Sequence, residues 1–345
     1  MTYGNVNVDT VTTSTPNGIL GAGDASIMKN RIINGAMVID QRNAGASVTP
    51  TNGQYVLDRW KGGLTQSSKF SLQQSTTAPT GFSNSLLATS LSAYSVASGD
   101  TFIIRQAIEG FNWADLGWGT ANAKTVTLSF WVQSSLTGTF GGSFGNSASD
   151  YSYPFTYTIS SANTWEYKTV TVAGPTSGTW IGSTNGIGLN LQFSLGTGST
   201  LSGTAGSWSA NGYYSATGAT SVVGTNGATF YITGVQLEVG SSATGYEYRQ
   251  YTTELALCQR YYFLSSNGFM SAYWNGTGSY PSNQVFFPTS MRAAPTVTFS
   301  GTSFSNASAI GAQNISTSGF SMYITSSGLT GSASTPFSLN ASIEL

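Results

Sequence analysis

Apolar and polar residues alternate with period two along much of this chain. In KTVTLSFWV, Val126, Leu128, Phe130 and Val132 fall on one side, and Thr125, Thr127, Ser129 and Trp131 on the other. That is the pattern of a strand with one face against a core. NRIINGAMVID, QYVLDRWKGG, KFSLQQS, DTFIIRQAIEG, YPFTYTIS, WEYKTVTVAG, IGLNLQFSLG and ATFYITGVQLEVG read as further strands, each bounded by Gly, Ser, Asn or Pro. Such short strands with turns between them predict a jelly-roll β-sandwich over residues 29–250. The exception is IEGFNWADLGWG, where one helical turn is expected. A Gly- and Ser-rich loop from Gly196 to Thr220 carries Trp208, Tyr213 and Tyr214. Loops of that length in compact domains are functional or mobile.

The two ends read differently. In residues 1–28, VNVDTVTT alternates like a strand and is followed by the turn-rich TSTPNGILGAGDAS. A single strand cannot bury its own apolar face, so this segment is expected to be an arm that docks elsewhere; a disordered N-terminus is the alternative. Residues 251–345 open with TTELALCQRYYFL, where Leu255, Cys258, Tyr261 and Tyr262 are spaced by three and four, the signature of one helical face. A short connector helix is expected there. Then QVFFPTSM, PTVTFSG, SGFSMYITSSG and FSLNASIEL predict four strands of a small β-sandwich or a trimeric β-tip. The fold class is therefore all-β: an N-terminal arm, a jelly roll and a smaller C-terminal β domain.

Composition narrows the function. Charged residues are 7% of the chain, against about 25% in ordinary soluble domains. Strand edges thus lack the Lys and Glu that usually block edge-to-edge pairing, and copies of the chain are expected to cover one another in a homo-oligomer. No Lys/Arg run exists to bind phosphates, so nucleic acid is not an expected partner. No apolar run is long enough to span a bilayer, and the first residues lack the basic and apolar parts of a signal peptide. Neither membrane insertion nor export is expected, and the chain is read as made in a cytoplasm.

The chain has no histidine and a single cysteine, Cys258. Ser-His-Asp and Cys-His nucleophiles, His-ligated metals and intramolecular disulfides are thereby excluded. No catalytic residues, metal or cofactor are expected. Glycoside hydrolysis needs two carboxylates flanking the bond. Glu109 with Asp115 around Trp113, and Glu238 with Glu247, are the local pairs available, but pairing with Arg105 or capping of turns accounts for such carboxylates equally. The chain is not expected to be an enzyme. Aromatics are the more informative group, since Trp and Tyr combine a flat apolar face with a polar edge suited to sugar rings. Trp208, Tyr213 and Tyr214 in one loop region, and Tyr273, Trp274 and Tyr280 in another, are the candidate glycan-contacting residues. Core or subunit packing is the competing use of these rings, and of Trp113 and Trp118.

Five segments, in order, resemble tail-fibre and other appendage proteins of tailed bacteriophages, notably those of cyanobacterial and other aquatic hosts. They are GILGAGDASIMKNRIINGAMVIDQRN, YVLDRW, IEGFNWADLGWGTANAKTVTLSFWVQSSLTGTF, ATFYITGVQLEVGSSATGYEYR and TELALCQRYY, spread from Gly18 to Tyr262. The resemblance implies a virion structural protein, a homotrimer anchored to other virion proteins by its N-terminal arm. Its jelly roll would be similar to carbohydrate-binding modules, and its distal part would contact host-surface polysaccharide. It also implies that Arg31, Asp40 and Arg42 help close the first strand onto the last, with Glu238 as an ion-pair partner. Modules of this shape often hold a structural calcium, for which few carboxylates are available here. A purely structural place in the head, neck or baseplate, and a polysaccharide depolymerase, are the alternative readings.

Overall fold

The computed structural model describes residues 28–274, 282–327 and 331–345. The expected arm, apart from Met28, lies outside them, as do Tyr280 and the side chain of Trp274. The strands run in chain order as β1 (Tyr55–Leu57), β2 (Trp60–Leu64), β3 (Phe70–Ser75), β4 (Ser85–Ser90), β5 (Thr101–Glu109), β6 (Val126–Ser134) and β7 (Gly138–Gly145). They continue as β8 (Ser152–Ile159), β9 (Glu166–Val172), β10 (Ile187–Thr197), β11 (Ser202–Gly203), β12 (Ser215–Ala216) and β13 (Thr229–Val239). Helix α1 (Tyr251–Gln259) leads to β14 (Tyr262–Trp274), β15 (Ser282–Phe286), β16 (Thr296–Ser300), β17 (Ala307–Gln313), β18 (Gly319–Ser326) and β19 (Gly331–Ser342).

The chain is all-β, and its larger part is a jelly-roll sandwich. One sheet has the order β1-β2-β5-β10-β7-β8 and the facing sheet β3-β4-β13-β6-β9, all antiparallel. The alternation in β6 works as expected: Val126, Leu128, Phe130 and Val132 are fully buried between the sheets. Phe102 and Ile104 of β5, and Leu191 and Phe193 of β10, meet them from the other side. The helical turn expected in IEGFNWADLGWG consists of two short 3-10 turns, Gly110–Asn112 and Ala114–Leu116. They bury Trp113 and Trp118 edge to face, with ring centroids 4.6 Å apart.

Two expected strands are different. QYVLDRWKGG is a hairpin, β1 and β2, folded at Asp58 and Arg59, with Arg59 in the left-handed region at φ 71°. NRIINGAMVID is not a regular strand, because Asn34 binds its own neighbourhood. Its side-chain oxygen accepts the Ile39 N–H at 3.0 Å, its amide donates to the Ile39 carbonyl at 2.8 Å, and Asn34 and Met37 both adopt positive φ. A side chain that satisfies nearby backbone groups competes with sheet pairing. The segment still docks on the last strand of the sandwich. Arg31 N–H donates to the Leu237 carbonyl at 2.9 Å, and Asn30 bridges Val235 and Leu237.

The closing role expected of the charges is corrected in detail. Arg31 pairs with Asp115 at 2.7 Å, Arg42 reaches Glu344, and Asp40 accepts the backbone N–H groups of Arg42, Asn43 and Gly45. Glu238 faces Lys29, at 3.8 Å. The three charges are spread over an irregular segment whose residues point in different directions, so they serve three separate contacts.

The C-terminal strands form a small sandwich of two three-stranded sheets, β14-β19-β16 and β15-β18-β17. Its core gathers Met270, Phe287, Met291, Phe320, Ile324 and Leu339. Strands β14 and β17 were not legible beforehand. The start of β14 continues the helical spacing of TTELALCQ, and ASAIGAQ in β17 has too few large apolar residues to alternate. Helix α1 packs its buried Cys258 with Tyr261, Ile33 and Ile39 into a third cluster. There the two sandwiches meet through charge. Glu344 pairs with Arg42 and Arg59, while Arg260 grips Glu109 through two bonds of 2.8 and 2.6 Å. Tyr261 also donates to Glu109, at 2.6 Å.

Candidate functional site

The outer face of the six-stranded sheet is the polar one. Because opposed residues of antiparallel strands share a face, the register puts Lys61 of β2, Arg105 of β5, Gln192 of β10 and Ser143 of β7 in one outward row. Trp60, Phe102 and Phe193 project the other way into the core. The Gly196–Thr220 loop lies flat across part of this face. Its β12 pairs in parallel with β11, and Ser215 sits so close over β7 that a Cβ added at Gly141 would be 2.3 Å from Ser215 Oγ. Only a residue without a side chain permits that approach. Under the loop, Gln192, Ser194 and Ser143 are buried.

What the loop leaves open is a cleft of ≈ 350 Å³. Gly63, Ile103, Lys61 and Arg105 form its floor, Leu201 and Tyr214 its loop-side wall, and Asn52 and Thr65 its far rim. The Arg105 guanidinium lies 5.5 Å from the centroid of the Tyr214 ring, and its Nη2 donates to Gln192 Oε1 at 2.9 Å. Its Nε is buried with no protein partner. Burial lowers the Arg105 pKa below its ordinary value, partly offset by the Tyr214 hydroxyl. Lys61 is pushed down to about 8, first by burial and then by repulsion from Arg105 and Arg59. The site is therefore a shallow, donor-rich depression with one aromatic wall. It suits an elongated polar ligand with hydroxyl and other acceptor groups.

The candidate aromatics separate. Tyr214 lines the cleft. Tyr213, beside it in sequence, packs against β11, where a Cβ at Gly203 would be 2.3 Å from its ring. Trp208 is used in packing: it stacks on Tyr151 with centroids 5.7 Å apart, meets Trp118 and Trp180 edge to face, and donates its indole N–H to the Ala173 carbonyl at 2.8 Å. Tyr273 belongs to β14 of the small sandwich and is 73% exposed, and the Trp274 backbone pairs with Gly331. The structure does not bring these residues to the cleft. Lys61, Arg105 and Gln192 were not anticipated as site residues. The available signal was the phase of TFIIRQAIE, in which Arg105 falls on the face opposite Phe102 and Ile104.

The carboxylates considered for hydrolysis are engaged elsewhere. Glu109 is buried; burial alone would raise its pKa, but Arg260 and Tyr261 outweigh that and hold it below its ordinary value. A glycosidase general acid needs the opposite shift. Its partner is Arg260, not the expected Arg105. Glu238 accepts from Gln236 and Thr244, and Glu247 from the Asn30 N–H. With these acceptors filled, and with no group of three or more His, Cys, Asp or Glu side chains placed to hold a metal among the described residues, those described residues do not fit a structural calcium.

No protein-family model matches the chain, and no curated protein matches it. Solved structures do. A putative sugar-binding protein of Bacteroides thetaiotaomicron is similar over 61% of this chain and 99% of its own, at 10% identity and a TM-score of 0.35. The enzymatically active domain of tailspike protein 4 from bacteriophage CBA120 is similar over 61% of this chain at 13% identity and a TM-score of 0.32, and the match spans 21% of that protein's length. A family 11 carbohydrate-binding module from a Clostridium thermocellum cellulosomal cellulase is similar over 59% of this chain and 99% of its own, at 10% identity and a TM-score of 0.28. At these scores nothing about function passes from those proteins to this one.

Proposed function

We propose that this chain is a structural subunit of a bacteriophage appendage, a tail fibre or similar, whose jelly roll contacts host-surface glycan through the cleft beside Tyr214. The observation that carries the glycan contact is the cleft itself: an aromatic wall over a floor with hydrogen-bond donors, on a sheet face partly covered by the Gly196–Thr220 loop. The appendage role is supported by the five ordered segments that resemble phage appendage proteins, from Gly18 to Tyr262. In this reading the protein acts without catalysis, as a homotrimer held to other virion proteins by its N-terminal residues. The near absence of charge supports assembly, because uncharged strand edges are covered most readily by copies of the same chain.

A glycan array probed with the purified oligomer tests the contact. The native protein is expected to bind a subset of surface polysaccharides. Tyr214→Ala is expected to weaken that binding about tenfold or more, on the scale of one lost ring contact, with unchanged thermal melting. No binding by the intact oligomer would remove glycan recognition from this reading. Deleting residues 1–27 is expected to leave the sandwich folded and abolish incorporation into particles, scored by blotting purified virions. Normal incorporation of the truncated chain would refute N-terminal anchoring.

A further inference from the structure

We infer that the cleft takes an acidic saccharide, with Arg105 and Lys61 as counter-charges to a uronate carboxylate or a sulfate ester. This rests on the glycan reading above and names the class of sugar.

The charge arrangement carries the inference. The chain has only 12 Lys and Arg residues, and most of them reach a carboxylate. Arg105 reaches none, and Lys61 Nζ is held by an oxygen of the last residue, Leu345, at 2.6 Å rather than by an Asp or Glu. They stand directly opposite each other on neighbouring strands, both half-buried, and neither pairs with an Asp or Glu side chain among the described residues. Like charges placed opposite in a sheet repel, and partial removal from water strengthens the repulsion. Asp100 lies at the N-terminal end of the same sheet region, but its oxygens are taken by Tyr94, Thr65 and the Ala97 N–H. A bound anion would relieve the repulsion, and the Arg105 guanidinium lines the cleft where it would sit. The neighbouring Tyr214 ring supplies the apolar contact for the sugar body.

The groups around Lys61 set its pH response. The Tyr55 ring of β1 lies 5.1 Å from its Nζ, Arg105 faces it across β5, Arg59 and Glu344 act from the junction with the small sandwich, and Nζ donates to a Leu345 oxygen at 2.6 Å. Tyr55, pushed up to about 12 chiefly by burial, stays neutral over the working range. Lys61 is therefore the group that titrates, cationic below about pH 8 and neutral above it. Affinity for an acidic sugar is expected to hold up to neutral pH and to fall between about pH 7 and about pH 9.

The test compares matched probes on the intact protein by titration calorimetry: oligogalacturonate against its methyl ester, and a sulfated galactan oligosaccharide against its desulfated form. Each acidic member is expected to bind about tenfold tighter or more, the scale of one charge-assisted hydrogen bond. The gap should narrow when salt rises from about 0.05 to about 0.5 M. Arg105→Gln should weaken the acidic probe about tenfold more than the neutral one and so erase the preference, and Arg105→Lys should retain part of it; thermal melts confirm that each variant is folded. Equal binding of acidic and neutral probes, or a preference that survives in Arg105→Gln, overturns the inference and leaves glycan contact standing. Inorganic sulfate binding as tightly as the sulfated oligosaccharide also overturns it, because the saccharide would then contribute nothing. Binding of no saccharide by the native protein fails the glycan reading itself.

Discussion

Glu344→Gln is expected to destabilise the protein by about 3–5 kcal/mol, measured by urea denaturation at matched protein concentration. Glu344 is the shared acceptor of Arg42 and Arg59, and its side chain is 9% exposed. Arg59 is 1% exposed, with its guanidinium carbon 3.6 Å from the centroid of the Tyr261 ring and one nitrogen bonded to the Ala107 carbonyl at 2.6 Å. Burial alone would lower its pKa, and the Glu344 carboxylate holds it above the ordinary value; when that partner is lost the guanidinium still keeps its proton, because arginine is too strong a base to be neutralised in a protein. The neutral amide would leave a buried cation facing an uncharged group. Arg42 can partly recover by turning to water, being 13% exposed and already resting 3.7 Å from the centroid of the Tyr262 ring. Because this network joins the two sandwiches, early separation of the C-terminal one would appear as a second transition. The double variant Arg59→Met with Glu344→Leu should recover much of the loss, since a buried ion pair replaced by apolar residues is often neutral. A loss below about 1 kcal/mol in Glu344→Gln would mean that the junction is held by its apolar contacts alone.

Phe193→Ala is expected to cost a similar amount, about 3–5 kcal/mol, by opening a cavity at the middle of the jelly roll. Phe193 lies on β10, between β5 and β7, and is completely buried. Its ring meets Phe130, Phe155 and Trp60 at centroid distances of 5.1, 6.2 and 6.4 Å. Large rings on fixed strands of both sheets cannot collapse into the space, so the cavity term adds to the lost burial. Leu91→Ala, at a residue 44% exposed, is the control and should change stability by less than about 0.5 kcal/mol. Equal effects at both positions would contradict an interlocked core at the middle of the jelly roll.

The neighbour of Phe193 shows how far sequence reading reaches. In IGLNLQFSLG, read only as a strand, the alternating Leu189, Leu191, Phe193 and Leu195 are the residues buried in the core. Gln192, one step away, must then face outward. That it sits buried beneath a loop, next to an arginine from β5, depends on strand order and on where the loop falls. Aromatic content alone grouped Trp208, Tyr213 and Tyr214, yet three rings close in sequence have three different environments: an aromatic cluster, a glycine in β11 and the cleft. A loop bends sharply enough that closeness along the chain says little about shared direction.

By itself the sequence determined the strand-rich class, the face that KTVTLSFWV turns to the core, the helix before the last strands, and the lack of histidine chemistry. These follow from period, composition and residue identity, which are local properties. Only the tertiary structure decided that Arg42 meets Glu344 across 302 positions of chain, that Glu109 belongs to Arg260, and that Lys61 and Arg105 share a cleft floor. Charge partners and cleft walls come from strand order and sheet closure. Those depend on how the strands of the two sheets pack around one core, and no short stretch of residues encodes that.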